Sequence, residues 1–470
     1  MEVTYEKNGE KEIFDVNNFY MDIAKKLKEE TELPVNILVT TSDGEVEYSI
    51  KQRSGSQFIV ELSNSLPDSY LDKDIRDRFL TCIKPEKNAY KFYKLSVIGN
   101  EVKASYGRIG VAKGELFGER SFMYNLSMFW IKYYEKIGKG YVDRSDVYLN
   151  SQKPDTNSHI SENKPKISKN TASYELYQKL YSFAKNAVKQ AKISVPITKA
   201  IIEESHKLLE EMRNTENVKD FNTSLLNLMA ILQRPVRTGD GRGVKDMMAR
   251  NKDDFSKIIL REKDLISAME GSSQQIDNLP DFSSLGIEVY EANEKQKKQV
   301  MSHLNDSLKV KVKTIYRVIP QKQQSLFNEY LKKNDIKAVK QLWHGSRNQN
   351  WMSIVKNSLL LNPDAIITGK MYGNGIYFAP SSMKSWNYTS YRGTSWASGH
   401  SDTAFMGLYA VAYGKPYDVS TWNSMADYEK DVKKSKCNCL HAHAGVALRN
   451  DEIVFYDEAA VVLNYIVEFK

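Results

Sequence analysis

Apolar and polar residues alternate along several stretches of the chain, and each change of period marks a change of element. Residues 45–50 and 57–62 alternate at the two-residue period of a strand, while Phe19 to Leu33 repeats at helical spacing. Together they predict a small α+β unit over 1–83. From residue 84 to 150 the run YKFYKLSVIGNEVKASYGRIGVAKG alternates again and is punctuated by glycine, a strand–turn–strand signal. A helix rich in aromatic residues is expected behind it, from about Ser121 to Lys136. Residues 151–173 are polar without any hydrophobic period and read as a flexible linker. Over 174–275 the period becomes helical. Ile197, Ile201, Leu208 and Met212 recur near one face, Pro196 suits a first turn, and FNTSLLNLMAILQ and ILREKDLISAMEG supply further members of a bundle. From 281 to 470 strands and short helices return, with LKVKVKTIYRVI and DEAAVVLNYIVEF the strongest strand candidates.

Composition adds limits to this picture. A chain of 470 residues with 41% hydrophobic and 11% aromatic residues is long enough for about three domains and too apolar to be disordered throughout. The net charge of +8 is modest, but its distribution is uneven. Residues 1–83 hold 10 Lys/Arg against 17 Asp/Glu, whereas 84–150 hold 12 against 7, so a polyanion would prefer the second segment. Three cysteines, Cys82, Cys437 and Cys439, make no disulfide framework. The N-terminus lacks the layout of a signal peptide, and no run of about 18 apolar residues is present. A soluble intracellular protein without a membrane partner is therefore expected, in the nucleus of a eukaryotic host and otherwise in the cytoplasm.

Candidate chemistry concentrates in three passages: LWHGSR (342–347), GKMYGNGIYFAPSSMKSWNY (369–388) and LRNDEIVFYDEAAVVLNYIVEF (448–469). Gly345 after His344 leaves backbone groups approachable by a ligand. Tyr377 and Tyr388 offer ring faces for stacking. Glu452 lies among apolar neighbours, where burial disfavours its charge unless partners compensate. Each feature alone is also common in inert domains. Two other passages carry less. GDGRGV (239–244) follows a helical run and lacks the Gly-Lys-Ser/Thr ending of a phosphate loop. Cys437, Cys439, His441 and His443 stand at alternate positions, but on an extended strand they span roughly 20 Å and cannot converge on one ion without a bend, so no metal is expected.

Taken together, the passages resemble the catalytic domain of the poly(ADP-ribose) polymerases. The order His344-Gly345-Ser346, then Gly373-Asn374-Gly375-Ile376-Tyr377-Phe378-Ala379, then Lys384-Ser385-Trp386-Asn387-Tyr388, then Glu452 five residues before Asp457, follows that family's motifs in register. The resemblance implies an NAD-consuming ADP-ribosyltransferase of mixed antiparallel sheets. In it Tyr377 and Tyr388 sandwich the nicotinamide, Gly345 and Ser385 hold its carboxamide, His344 contacts a ribose hydroxyl, and Ser346 belongs to the same cofactor-binding set. Glu452 would act on the reacting ribose and the acceptor hydroxyl, and Lys384 and Met371 would line the acceptor site. The triplet His344, Tyr377 and Glu452 resembles that of polymer-forming members. An arginine that many relatives use near the adenosine falls at Leu359, and the stretch after Tyr388 is longer than in many relatives.

The same resemblance extends upstream. Residues 174–275 are similar to the helical regulatory domain of DNA-dependent members, and 84–150 to their WGR domain, with Tyr106-Gly107-Arg108 in place of Trp-Gly-Arg. It implies that Tyr106 and Arg108 read DNA ends or nicks and that the acceptors are proteins, the chain itself included. The expected fold is multidomain α+β: a small α+β unit, a β-rich WGR-like domain, an all-α bundle and the transferase domain. The expected function is a poly(ADP-ribose) polymerase activated by DNA breaks. Mono-ADP-ribosyl transfer by the same fold, or a DNA-end scaffold without catalysis, are the alternatives.

Overall fold

The computed structural model describes residues 2–7, 10–15, 35–41, 44–53, 57–62, 75–111, 113–149, 171–193, 195–236, 243–273, 281–361, 371–391, 401–446 and 448–470. It divides into two compact units, one of residues 1–154 with 233–247, the other of 155–232 with 248–470. The expected helix at Phe19–Leu33 and most of the expected linker lie outside the described residues.

In the first unit, β1 (Glu2–Lys7), β2 (Glu10–Asp15), β3 (Val35–Thr41), β4 (Gly44–Arg53) and β5 (Gln57–Leu62) form an antiparallel sheet in the order β2-β1-β3-β4-β5. A second antiparallel sheet joins β6 (Arg78–Lys84), β7 (Ala89–Ile98), β8 (Glu101–Arg108), β9 (Arg120–Asn125) and β10 (Val142–Asp143) in the order β10-β6-β7-β8-β9. Helix α1 (Phe129–Gly138) covers one face, burying Phe129 with Leu80, Tyr93, Leu95, Val102 and Ala104, and α2 (Ser145–Leu149) follows.

Two expectations are corrected here. The boundary at 83 falls inside β6, which pairs with β7 and β10 of the second sheet and buries Leu80, Thr81 and Cys82. Residues 121–125 are strand, not helix: their pairing with β8 wins over the aromatic run, and the helix begins only at Phe129.

The second unit opens with α3 (Thr171–Ala191), α4 (Lys199–Asn214), α5 (Val218–Ile231) and α6 (Asp253–Gly271). Pro196 stands outside α4, and Thr198 caps it by accepting from the Ile201 N–H. Then follow β11 (Ile287–Glu291), α7 (Glu294–Ser302), α8 (Asp306–Lys309), β12 (Val312–Pro320), α9 (Gln321–Lys333), β13 (Val339–Gly345) and α10 (Trp351–Asn357). The chain continues through β14 (Ile376–Phe378), α11 (Ser382–Trp386), β15 (Ala404–Ala412), β16 (Pro416–Val419), α12 (Tyr428–Lys434), β17 (Cys439–Ala442), β18 (Glu452–Phe455) and β19 (Val461–Phe469). LKVKVKTIYRVI yields its strand only from Val312, because Asp306–Lys309 closes a short helix capped by Asn305.

Two sheets build the C-terminal domain. The larger runs β11-β12-β19-β15-β13 and the smaller β14-β18-β17-β16. Every residue of β15 is buried, which is the signature of a strand covered on both faces. Leu176, Tyr177, Leu180 and Ala184 of α3 join the same apolar core as Val289, Tyr316 and Phe405, so this helix is packed into the domain it precedes.

Candidate active site

The larger and smaller sheets meet at one bridge. Trp343 and Ala379 exchange both backbone hydrogen bonds, at 2.9 and 3.0 Å. The residues beside that bridge are the ones singled out by sequence. His344 and Gly345 end β13, Tyr377 is the middle residue of β14, and Glu452 opens β18 with Val454 paired to Tyr377.

Local packing explains why these residue types stand there. A side chain on Gly345 would overlap the carbonyl oxygen of Ser385, and one on Gly375 would overlap the Val454 side chain. Glycine thus lets the two passages close against each other. Ser385 is buried, and its hydroxyl donates to the Trp343 carbonyl at 3.0 Å, leaving oxygen lone pairs to accept from a ligand amide.

His344 faces the Tyr377 carbonyl through Nδ1 at 3.1 Å. Burial pushes its pKa down to about 4, the bond to that carbonyl opposes the shift, and the charge of Lys263 adds to it. The ring is therefore neutral at physiological pH. The carbonyl can only accept, so the proton sits on Nδ1 and Nε2 presents a lone pair. The Tyr377 hydroxyl accepts from the Tyr372 N–H at 3.1 Å and donates to the Gly373 carbonyl at 2.8 Å, which fixes its ring. Tyr388 is half exposed, and burial with the charge of Glu452 raises the pKa of its hydroxyl.

Glu452 is not left alone among its apolar neighbours. Lys384 Nζ lies 2.8 Å from its carboxylate, and both side chains are largely buried. The same ammonium donates to the Asn450 carbonyl at 3.0 Å. Met371 is partly buried, and its carbonyl accepts from the Trp422 indole at 2.7 Å. The Ser346 hydroxyl accepts from the Asn350 amide at 3.1 Å.

The structure thus brings His344, Gly345, Tyr377 and Ser385 together around one seam, with Lys384 and Glu452 paired at its edge. Leu359 is buried in the apolar core. In the first unit, Tyr106 stacks between Tyr93 and Phe122, with ring centroids 6.1 and 6.3 Å away. The Arg108 guanidinium is already engaged, donating to the Asn88 backbone and side-chain oxygens at 2.6 and 3.2 Å.

Sequence reading missed the residues of α6 that reach this site. Asp264 accepts from the Asn350 amide at 2.8 Å, two bonds from Ser346. Burial raises its pKa, opposed by Asn350, Lys263 and Arg347. Burial pushes Lys263 down to about 8, reinforced by Arg213. Glu270 accepts from Ser353 at 2.5 Å and pairs with His206 at 2.7 Å. A signal existed: charges at 262, 263, 264 and 270 stand among the apolar positions of the helix.

Residues 290–444 match the family model described as the poly(ADP-ribose) polymerase catalytic domain. This match and the similar proteins support NAD+ ADP-ribosyltransferase activity in the C-terminal part of the chain, with NAD as its substrate. The match contains His344, Tyr377 and Lys384, and Glu452 lies just beyond it. Among similar proteins, a putative poly(ADP-ribose) polymerase-like protein, 100L, of Invertebrate iridescent virus 6 is 28% identical over 160 residues, 33% of this chain and 83% of its own. Poly(ADP-ribose) polymerase 2 of Homo sapiens is 41% identical over 87 residues, 18% of this chain and 14% of its own. Poly(ADP-ribose) polymerase of Drosophila melanogaster is 26% identical over 204 residues, 37% of this chain and 19% of its own. The chain thus spans less than a fifth of the human and fly relatives. No helix among the described residues is long and apolar enough to cross a membrane.

Proposed function

We propose that this protein is a poly(ADP-ribose) polymerase activated by DNA ends or nicks, which modifies protein acceptors and itself. The observation that supports it most is the closure of His344, Gly345, Tyr377 and Ser385 around one seam with Glu452 at its edge.

The chemistry follows from that arrangement. Cleaving the nicotinamide–ribose bond builds positive charge on the sugar, so the site must favour an oxocarbenium-like ribose over NAD itself. The nicotinamide ring lies between Tyr377 and Tyr388. Its carboxamide bonds to the Gly345 backbone, and its NH2 donates to the Ser385 oxygen. Neutral His344 accepts a ribose hydroxyl at Nε2, which a protonated ring could not do. The Glu452 carboxylate lies near the charge that develops, and it orients the incoming acceptor hydroxyl. Lys384 holds that carboxylate in place and, with Met371, borders the path of the acceptor.

Residues 174–275 act as the helical regulatory segment in this reading. Lys263 and Asp264 of α6 stand against the transferase site, where they limit access to NAD. Residues 84–150 read DNA. Their net positive charge suits phosphates, and Phe122 and Met123 expose apolar surface on β9 beside Tyr106. Polymer formation rather than single transfer is supported by the intact His344, Tyr377 and Glu452 triplet.

Incubation with labelled NAD, with and without nicked DNA, tests the whole reading. A DNA-dependent smear on a gel is expected. A single sharp band would reduce the activity to mono-transfer, and equal labelling without DNA would remove the trigger. Glu452→Gln should abolish elongation while leaving DNA binding intact.

A further inference from the structure

The alternate positions Cys437, Cys439, His441 and His443 do not act as a set of four. Cys439 is buried, and its thiol points to the Tyr413 carbonyl. The two histidines behave differently. β17 pairs in parallel with β16, and the register sets Asp418 opposite His441. His443, one residue past the end of β17, continues the pairing by donating its N–H to the Val419 carbonyl at 2.9 Å. Both imidazoles therefore lie on the side of the Asp418 carboxylate, with ring centroids 4.1 Å apart.

We propose that Asp418, His441 and His443 form a binding site for a divalent transition-metal ion of the zinc type. One ligand atom from each lies within 4.8 Å of the others. The Asp418 oxygen is 2.7 Å from His443 Nε2 and 3.9 Å from His441 Nδ1. Zinc bonds of roughly 2.0–2.2 Å in tetrahedral array set ligand atoms about 3.4 Å apart. The two separations from Asp418 bracket that value and the histidine nitrogens lie within 4.8 Å of each other, so side-chain shifts of about an ångström complete the site. Two imidazoles and a carboxylate suit Zn2+, Co2+ or Cu2+ and are a poor set for Mg2+ or Ca2+.

The second observation concerns orientation. His441 Nε2 is bonded to the Asp451 carboxylate at 2.9 Å. A carboxylate can only accept, so the ring proton sits on Nε2 and the lone pair of Nδ1 points toward Asp418 and the Tyr413 hydroxyl, 2.7 Å away. A carboxylate behind the far nitrogen is how metal-ligating histidines are usually held. Asp451 is itself fixed by the Ala444 N–H at 2.8 Å. The ion would displace the Tyr413 hydroxyl from that lone pair.

The position has a consequence for the transferase site. Asp451 immediately precedes Glu452, and Glu452 pairs with Ala442, between the two histidines. An ion there ties β16, β17 and the start of β18 together. It stiffens the strand that bears Glu452 and takes no part in the transfer of ADP-ribose.

The test uses the full chain, stripped with a chelator and titrated with Co2+ and Zn2+. Visible absorption bands from bound Co2+ at one equivalent per chain, displaced by Zn2+, are expected. Thermal unfolding should shift upward with Zn2+. His443→Ala and Asp418→Asn should weaken binding at least tenfold, and Asp451→Asn should weaken it about tenfold through loss of orientation. Cys437→Ser should change nothing. Absence of binding at micromolar metal, or binding unaffected by His443→Ala, would overturn the proposal. Loss of the Co2+ bands in Cys437→Ser would transfer the site to the cysteine.

Discussion

The two sheets of the transferase domain divide its work unequally. The larger one has strands of five to nine residues, and β15, next to its central strand, is buried along its whole length. The smaller one has strands of three or four residues, and it bears Tyr377 and Glu452. Long, doubly covered strands supply burial and rigidity, and short strands at the seam supply reactive groups that remain open to a ligand. His344 and Gly345 sit where the first kind gives way to the second. The difference teaches that catalytic geometry here is held at the edge of a stable sheet rather than inside it.

Substitutions can break this division, and the largest effect is expected in the large sheet. Phe405→Ala on β15 removes a fully buried ring and should lower unfolding stability by about 3–5 kcal/mol, read from chemical denaturation. Glu452→Gln in the small sheet should do the opposite. It should reduce NAD turnover on the order of 10²–10⁴-fold while leaving the melting temperature close to wild type. A large loss of stability in that variant would show that the small sheet is structural as well.

A charge inside the larger sheet sharpens the contrast. Glu468 on β19 is buried and meets Lys179 of α3 at 2.9 Å and Lys313 at 3.0 Å. Burial alone would raise its pKa, but the bonds from the two lysines outweigh it and hold the carboxyl below its usual range. A carboxyl depressed on folding stabilises the fold above its unfolded pKa of about 4.3, and that stability is lost as pH falls through the folded value. Glu468→Gln should therefore cost about 1–3 kcal/mol at pH 7, the partly exposed lysines reducing the figure. The cost should vanish once the pH has fallen through the folded value in the same denaturation experiment.

His344 gives a pH test on the seam itself. Its pKa of about 4 predicts no loss of NAD turnover from this group near pH 6.5, with the acid limb displaced toward pH 4. A profile of kcat/KM for NAD shows which holds. The smallest effect belongs outside both sheets. Thr198→Ala removes the cap of α4 and should cost about 1 kcal/mol in thermal unfolding, with turnover unchanged.

Much of this was legible in the sequence. Helical periods located α4, α5 and α6, and alternation located β12 and β19 within a few residues. Motif order singled out the transferase passages, because His344, Tyr377 and Glu452 stand among the neighbours that the resemblance calls for. The strand at 121–125 was not legible, since its exposed aromatics repeat as well at helical spacing, and only pairing with β8 decides between them. The reach of Lys263 and Asp264 was also hidden, because a charge in an amphipathic helix looks solvated until the facing surface is known.

The sequence by itself determined which residue types were available for the chemistry, and where the chain needed glycine for two segments to approach. Those are properties of side-chain size and hydrogen-bonding capacity, and they travel with the chain. Only the tertiary structure decided which distant residues meet. Gly345 closes on Ser385, Lys384 neutralises Glu452, and Asp418 faces His441 and His443. Each of these meetings depends on strand register and on the bridge between two sheets, and register is set by the burial of whole strands rather than by any local pattern.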